Sequence, residues 1–135
     1  MTVELLATSI EVGLVTTNRE AMSEFYGGFL GLPLQGELEF PGGVMARYAV
    51  GKNVLKLVTF DEPPATPVAP GGGRAQAGIR YITLVVASLT AVAAQVAEAG
   101  YPIAEPVTEF PGIPGMGWLF VVDPDGNWVE LVGPL

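Results

Sequence analysis

The chain has 135 residues, half of them apolar, with 18 glycines, 12 prolines, no cysteine and no histidine. The missing cysteine excludes disulfides, thiolate nucleophiles and zinc–sulfur sites, and the missing histidine removes the commonest metal ligand, the commonest general base and every Ser-His or Cys-His dyad. Six basic residues against 14 acidic ones give a formal net charge of −8, which disfavours a nucleic-acid surface built on clustered Lys and Arg and favours solubility and a cationic ligand.

Taken in chain order, Ile10–Val15 reads as a first strand, with alternating and β-branched residues. Thr17-Asn-Arg-Glu20 fits a capping box, with a Thr hydroxyl and a Glu three residues on. A helix follows to about Leu30, with Ala21, Met22, Phe25, Phe29 and Leu30 at helical spacing and Gly31 as its stop. Three short strands come next, near Gln35–Glu39, Val44–Val50 and Val54–Phe60. The stretch 61–78, DEPPATPVAPGGGRAQAG, is rich in proline and glycine and nearly free of large apolar residues, so it reads as a linker. After it, Tyr81–Val86 is a strand and Ser88 an N-cap. Leu89–Ala99 is a helix that Gly100 ends. Strands near Ile103–Thr108, Gly117–Val122 and Trp128–Val132 complete the chain, the last two joined by the strong turn Asp123-Pro-Asp-Gly-Asn127.

The two halves repeat each other. An offset of 70 positions aligns Glu11–Asn18 with Tyr81–Ser88, and an offset of 74 aligns Lys52–Val58 with Gly126–Val132. Each half is therefore a βαβββ unit: residues 1–60, then the 61–78 linker, then 79–135. A single such unit exposes sheet edges and one sheet face, which favours pairing with a second. No apolar run approaches the ~20 residues that span a bilayer, and no charged-then-apolar leader opens the chain. The expectation is a cytoplasmic protein without a membrane partner.

Phe120-Val-Val-Asp-Pro-Asp-Gly-Asn-Trp-Val-Glu-Leu-Val132 resembles the C-terminal signature of the vicinal oxygen chelate superfamily, which includes glyoxalases, bleomycin-resistance proteins and extradiol dioxygenases. The opening run Ile10–Val15, with Phe25-Tyr26 and Leu30-Gly-Leu32, resembles its first strand and helix. Gly78–Leu84 resembles its central strand. The resemblance implies an α+β fold in which two βαβββ modules form a cupped, mostly antiparallel eight-stranded sheet with helices on the outer face. It also implies a small organic ligand in a cavity between the modules, and a homodimer.

In metal-using members of that superfamily, four inward side chains hold one divalent ion. Carried over one by one, those positions are Glu11, Lys56, Tyr81 and Glu130. An ammonium has no lone pair and repels a cation, so Lys56 argues against a metal, although Glu11 and Glu130 keep a divalent-metal alternative open. Strand parity supports the placement. The aliphatic alternates Val12, Leu14, Leu55, Leu57, Ile82, Leu84, Val129 and Leu131 face the helices, which sends the four polar groups to the other face. The expectation is a cofactor-free, metal-independent site centred on Lys56 between two carboxylates. A lyase or isomerase would use Glu11 or Glu130 as a base raised by desolvation, with Lys56 or Tyr81 stabilising an oxyanion. Oxygen activation needs iron or manganese and usually histidine, so a dioxygenase is disfavoured. The competing class is a non-catalytic drug- or metabolite-sequestering protein, its ligand walled by Phe40, Met45, Arg47, Tyr48, Trp118 and Phe120.

Overall fold

The computed structural model describes residues 2–135. The alternating apolar runs form eight strands, and the chain divides into two compact units between Ala65 and Thr66. The first unit contains β1 (Glu11–Val15), β2 (Leu34–Phe40), β3 (Gly43–Val50) and β4 (Asn53–Phe60) in the order β1-β4-β3-β2. The second contains β5 (Tyr81–Val85), β6 (Ile103–Glu109), β7 (Met116–Val122) and β8 (Trp128–Pro134) in the order β5-β8-β7-β6. The first and last strands of each unit pair in parallel, and the other pairs are antiparallel. The backbone ladders stay within each unit. The α+β class holds, and the eight strands make two four-stranded mixed sheets rather than one continuous ladder.

A parallel first-to-last pairing needs a crossover, and a helix supplies it in both units. In the first unit, α1 (Arg19–Ser23) runs directly into a π-helical segment, Glu24–Phe29. Its N-cap is Asn18, whose side chain makes no capping bond, so the expected capping box does not form. Instead the Asn18 amide donates to Thr16 Oγ1 at 2.9 Å. The π segment begins to close where the Leu30 amide donates to the Phe25 carbonyl. Its Gly27 lies where an added Cβ would stand 2.9 Å from Tyr48 Cε1. The missing side chain lets the helix settle against the Tyr48 ring.

In the second unit, α2 (Leu89–Ala99) starts where Ser88 Oγ accepts from the Ala91 amide and stops at Gly100. This is an ordinary N-cap and left-handed C-cap pair. No helix among the described residues is long and apolar enough to cross a membrane.

Each core lies between a helix and one sheet face. Met22, Phe25 and Tyr26 from the first helix are fully buried, with Ala46, Tyr48, Leu55 and Leu57 also buried. Register sets Tyr48 beside Leu55 and Ala46 beside Leu57 on that helix-side face. In the second unit Leu89 and Val96 of α2 are fully buried, as are Leu119, Val121, Val129 and Leu131. The aliphatic alternates therefore sit as parity requires.

The 61–78 segment is not a uniform linker. Gly72–Arg74 forms a 3-10 turn that belongs to the second unit. An added Cβ would stand 2.5 Å from Trp128 Cζ2 at Gly72 and 2.7 Å from Trp128 Cε3 at Gly73, so these two glycines lie directly against the indole. The Gly72 carbonyl accepts from Arg80 Nη2 at 3.0 Å, which ties the turn down.

Candidate functional site

All the candidate groups on the strands except Tyr48 lie on the sheet faces away from each unit's own helix. On the first sheet, register places Gly13 beside Lys56, Lys56 beside Arg47, and Arg47 beside Gly36. Glu11 reaches into this row from the end of β1. Arg47 Nη1 and Nη2 donate to the two Glu11 carboxylate oxygens at 2.9 and 3.2 Å, and Lys56 Nζ stands 3.5 Å from Glu11 Oε1. The Arg47 hydrogen bonds hold the Glu11 carboxyl below its ordinary range, with further help from Arg47 and Lys56 charge against the opposing effect of desolvation. The Arg47 guanidinium is pushed up in turn, first by its bond to Glu11.

Within the first module the cluster is one carboxylate between two cations, Arg47 and Lys56. One expectation is corrected here: Glu11 is shifted down, not up by desolvation, which makes it a weaker base at neutral pH. Met45 lies on the same face, with its sulfur 3.9 Å from Arg47 Nη1. Phe40 meets Phe60 edge-on at 6.0 Å. Tyr48 does not join them. It is adjacent to Arg47 in sequence and so faces the opposite side, buried at 5 % exposure under the helix.

On the second sheet, the row across the strands is Thr83, Glu130, Phe120 and Glu105. Thr83 Oγ1 donates to Glu130 Oε1 at 2.8 Å. Aromatic rings share this face with the carboxylates. Phe120 contacts Tyr81 and Trp128, each with ring centroids 5.0 Å apart, and Trp118 stacks at 4.6 Å against Phe110 from the preceding loop. Trp118 Nε1 donates to Glu105 Oε2 at 3.3 Å, and Arg74 Nε donates to Glu105 Oε1 at 2.5 Å. The Arg74 bond, followed by that of Trp118, holds the Glu105 carboxyl below its ordinary range. Trp118 and Phe120 share a face, as parity predicts.

Sequence reasoning missed four residues of this face. Thr83 and Trp128 were within reach, because each lies two residues from a chosen position on its own strand. Glu105 and Arg74 were not. The β6–β7 register is irregular on both sides of Glu105, and Arg74 belongs to the 3-10 turn.

A metal tests poorly against these groups. Both Glu11 oxygens are engaged by Arg47, and an ammonium stands beside one of them. No cluster of three or more acidic side chains suited to a metal ion occurs among the described residues.

The model of the glyoxalase/bleomycin resistance protein/dioxygenase superfamily matches residues 9–131. Among solved structures, a glyoxalase family protein from Bacillus cereus aligns with a TM-score of 0.76 at 17 % identity, covering 98 % of this chain and 96 % of its own. A glyoxalase family protein from Enterococcus faecalis aligns at 0.66 with 26 % identity, covering 96 % of each chain. An antibiotic-binding protein from Streptomyces sp. CB03234 aligns at 0.67 with 18 % identity, covering 98 % of this chain and all of its own (100 %). A search of curated protein sequences finds no significant match.

Proposed function

Because this chain belongs to the glyoxalase/bleomycin resistance protein/dioxygenase superfamily, we propose that it is a metal-independent binding protein for a small aromatic, cationic molecule. The observation that carries this reading is the face of the second sheet, where Tyr81, Trp118, Phe120 and Trp128 stand around the carboxylates of Glu105 and Glu130. Aromatic faces attract cations through the ring quadrupole, and a nearby carboxylate adds direct charge. Tyr81 is 49 % exposed and so is available to a ligand. Glu130 has a hydroxyl partner and no ion pair within its module, which leaves its charge for a cation. The net charge of −8 draws such molecules in.

The first module argues against acid–base catalysis by the full set of four polar groups. Glu11 is held ionised by Arg47, and a base of lowered proton affinity is a poor proton acceptor at neutral pH. A lyase- or isomerase-like activity would have to rest on Glu130 with Tyr81. The structural likeness to an antibiotic-binding protein supports the binding reading.

Titration with benzyltrimethylammonium tests it. Saturable quenching of tryptophan emission, unchanged by prior EDTA treatment, is the expected result. Linear, unsaturable quenching by this probe and by larger aromatic cations would remove the reading.

A further inference from the structure

We infer that Arg47 and Lys56 form a second binding site, for an anionic carboxylate or phosphoryl group, and that Glu11 is its internal occupant. The site follows from one row of the first sheet. Gly13, Lys56, Arg47 and Gly36 run side by side across all four strands. The two cations are central, and the two flanking positions carry no side chain. An added Cβ at Gly36 would meet nothing within 4 Å, and one at Gly13 would touch only Lys56 Cε and Val58 Cγ2, both at 3.9 Å. Space therefore lies open on either side of the paired cations.

The charges do not balance. Arg47 and Lys56 share one carboxylate, so the cluster keeps one excess positive charge in a chain of net −8. Two of the chain's six basic residues stand in neighbouring positions. Like charges on paired strands destabilise a sheet, so the pairing is not a feature that folding favours. Nor does the architecture demand it. The matching row of the second module, Thr83, Glu130, Phe120 and Glu105, carries two carboxylates and no cation.

The chemistry of the ligand can be read from Glu11 itself. Its carboxylate is held by two parallel N–H bonds from one guanidinium, the geometry that also fits phosphoryl oxygens. The ammonium of Lys56 has three protons and approaches only one Glu11 oxygen, at 3.5 Å. Both cations remain about a quarter exposed, at 27 % for Arg47 and 26 % for Lys56. An incoming anion competes with Glu11 for Arg47 while Lys56 supplies the second contact. This site does not rest on the aromatic-ligand reading, because it uses different residues on a different sheet.

The test is side-chain NMR of the whole chain. Arg47 Nε–H and Lys56 ammonium signals are followed during titration with inorganic phosphate and, separately, with acetate, chloride being adjusted to fixed ionic strength. Saturable shifts at these two residues are expected, with Arg19, Lys52, Arg74 and Arg80 unmoved. Glu11→Gln removes the competing charge and should tighten anion binding by roughly tenfold. Lys56→Gln should weaken it and keeps the test valid if Glu11→Gln does not fold. Saturation by phosphate alone assigns a phosphoryl ligand, and saturation by acetate assigns a carboxylate. Equal unsaturable shifts at all six basic residues, or anion binding that Glu11→Gln leaves unchanged or weakens, would overturn the inference. The aromatic-cation titration reads the tryptophans, so either proposal can fail alone.

Discussion

Arg47 grips both carboxylate oxygens of Glu11, reaching from β3 across β4 to β1 at 2.9 and 3.2 Å. A bond that favours the ionised form gives stability a pH dependence. The folded Glu11 titrates below its ordinary value of 4.5, so the unfolded chain takes up its proton first as pH falls. The contribution is complete above 4.5 and is lost as pH drops through the lower folded value. Glu11→Gln should therefore show a shallower loss of urea midpoint than the parent chain between about pH 5 and pH 3.

Tyr48 is a core residue, and its substitution should act on stability rather than on binding. Tyr48→Ala should cost about 3–5 kcal/mol, as for other large aromatic truncations. Gly27→Ala drives a methyl to 2.9 Å from Cε1 of the same ring and should cost about 1–3 kcal/mol through overpacking. Denaturant midpoints measure both. The affinity of the folded fraction for benzyltrimethylammonium should stay at the parent value in Gly27→Ala.

Trp118 and Glu105 act together on the second sheet, through the indole N–H and the carboxylate. Trp118→Leu should weaken an aromatic cation by about 0.5–2 kcal/mol, the range of a cation–π contact. Glu130→Gln, at the carboxylate without an ion pair in its module, should weaken the cation but spare a neutral aromatic probe of the same shape. Isothermal titration of the two probes separates the contributions of charge and ring.

Gly72 cannot take a side chain where it stands. Its φ is +74°, and an added Cβ would lie 2.5 Å from Trp128. Gly72→Val should lift the 3-10 turn away and cost about 1–3 kcal/mol, the range for a bulky residue held in the left-handed region. In the chain carrying Trp118→Phe, which isolates Trp128, emission should move to longer wavelength as water reaches the indole.

The elements were legible because their punctuation is local. Gly31 and Gly100 stop the helices, Ser88 caps the second, and Asp123 binds the Asp125 and Asn127 amides of its own turn. Parity on β8 and β7 likewise puts Glu130, Trp118 and Phe120 on one sheet face, as the register has them. Parity within β3 was harder to use. Met45, Arg47 and Ala49 alternate with Ala46, Tyr48 and Val50, and both sets mix apolar with polar groups. Even so, the adjacency of Arg47 and Tyr48 rules out a shared face. The Arg47–Glu11 bond needed a register across three strands, which no single segment encodes. The π-helical turn lays Gly27 against the Tyr48 ring, a contact between residues distant in sequence.

The glycines seated on Trp128 also decide where this chain accepts foreign sequence. Residues 61–67 are all exposed, and the division between units falls within them. A peptide tag inserted between Pro64 and Ala65 enters exposed chain outside any helix or strand, and loop closure grows costlier only slowly with length. The same tag between Gly72 and Gly73, only eight residues on, would prise the backbone off an indole. For anyone building a fluorescent sensor from this protein, the first position is the attachment point and the second is the part that must be left alone.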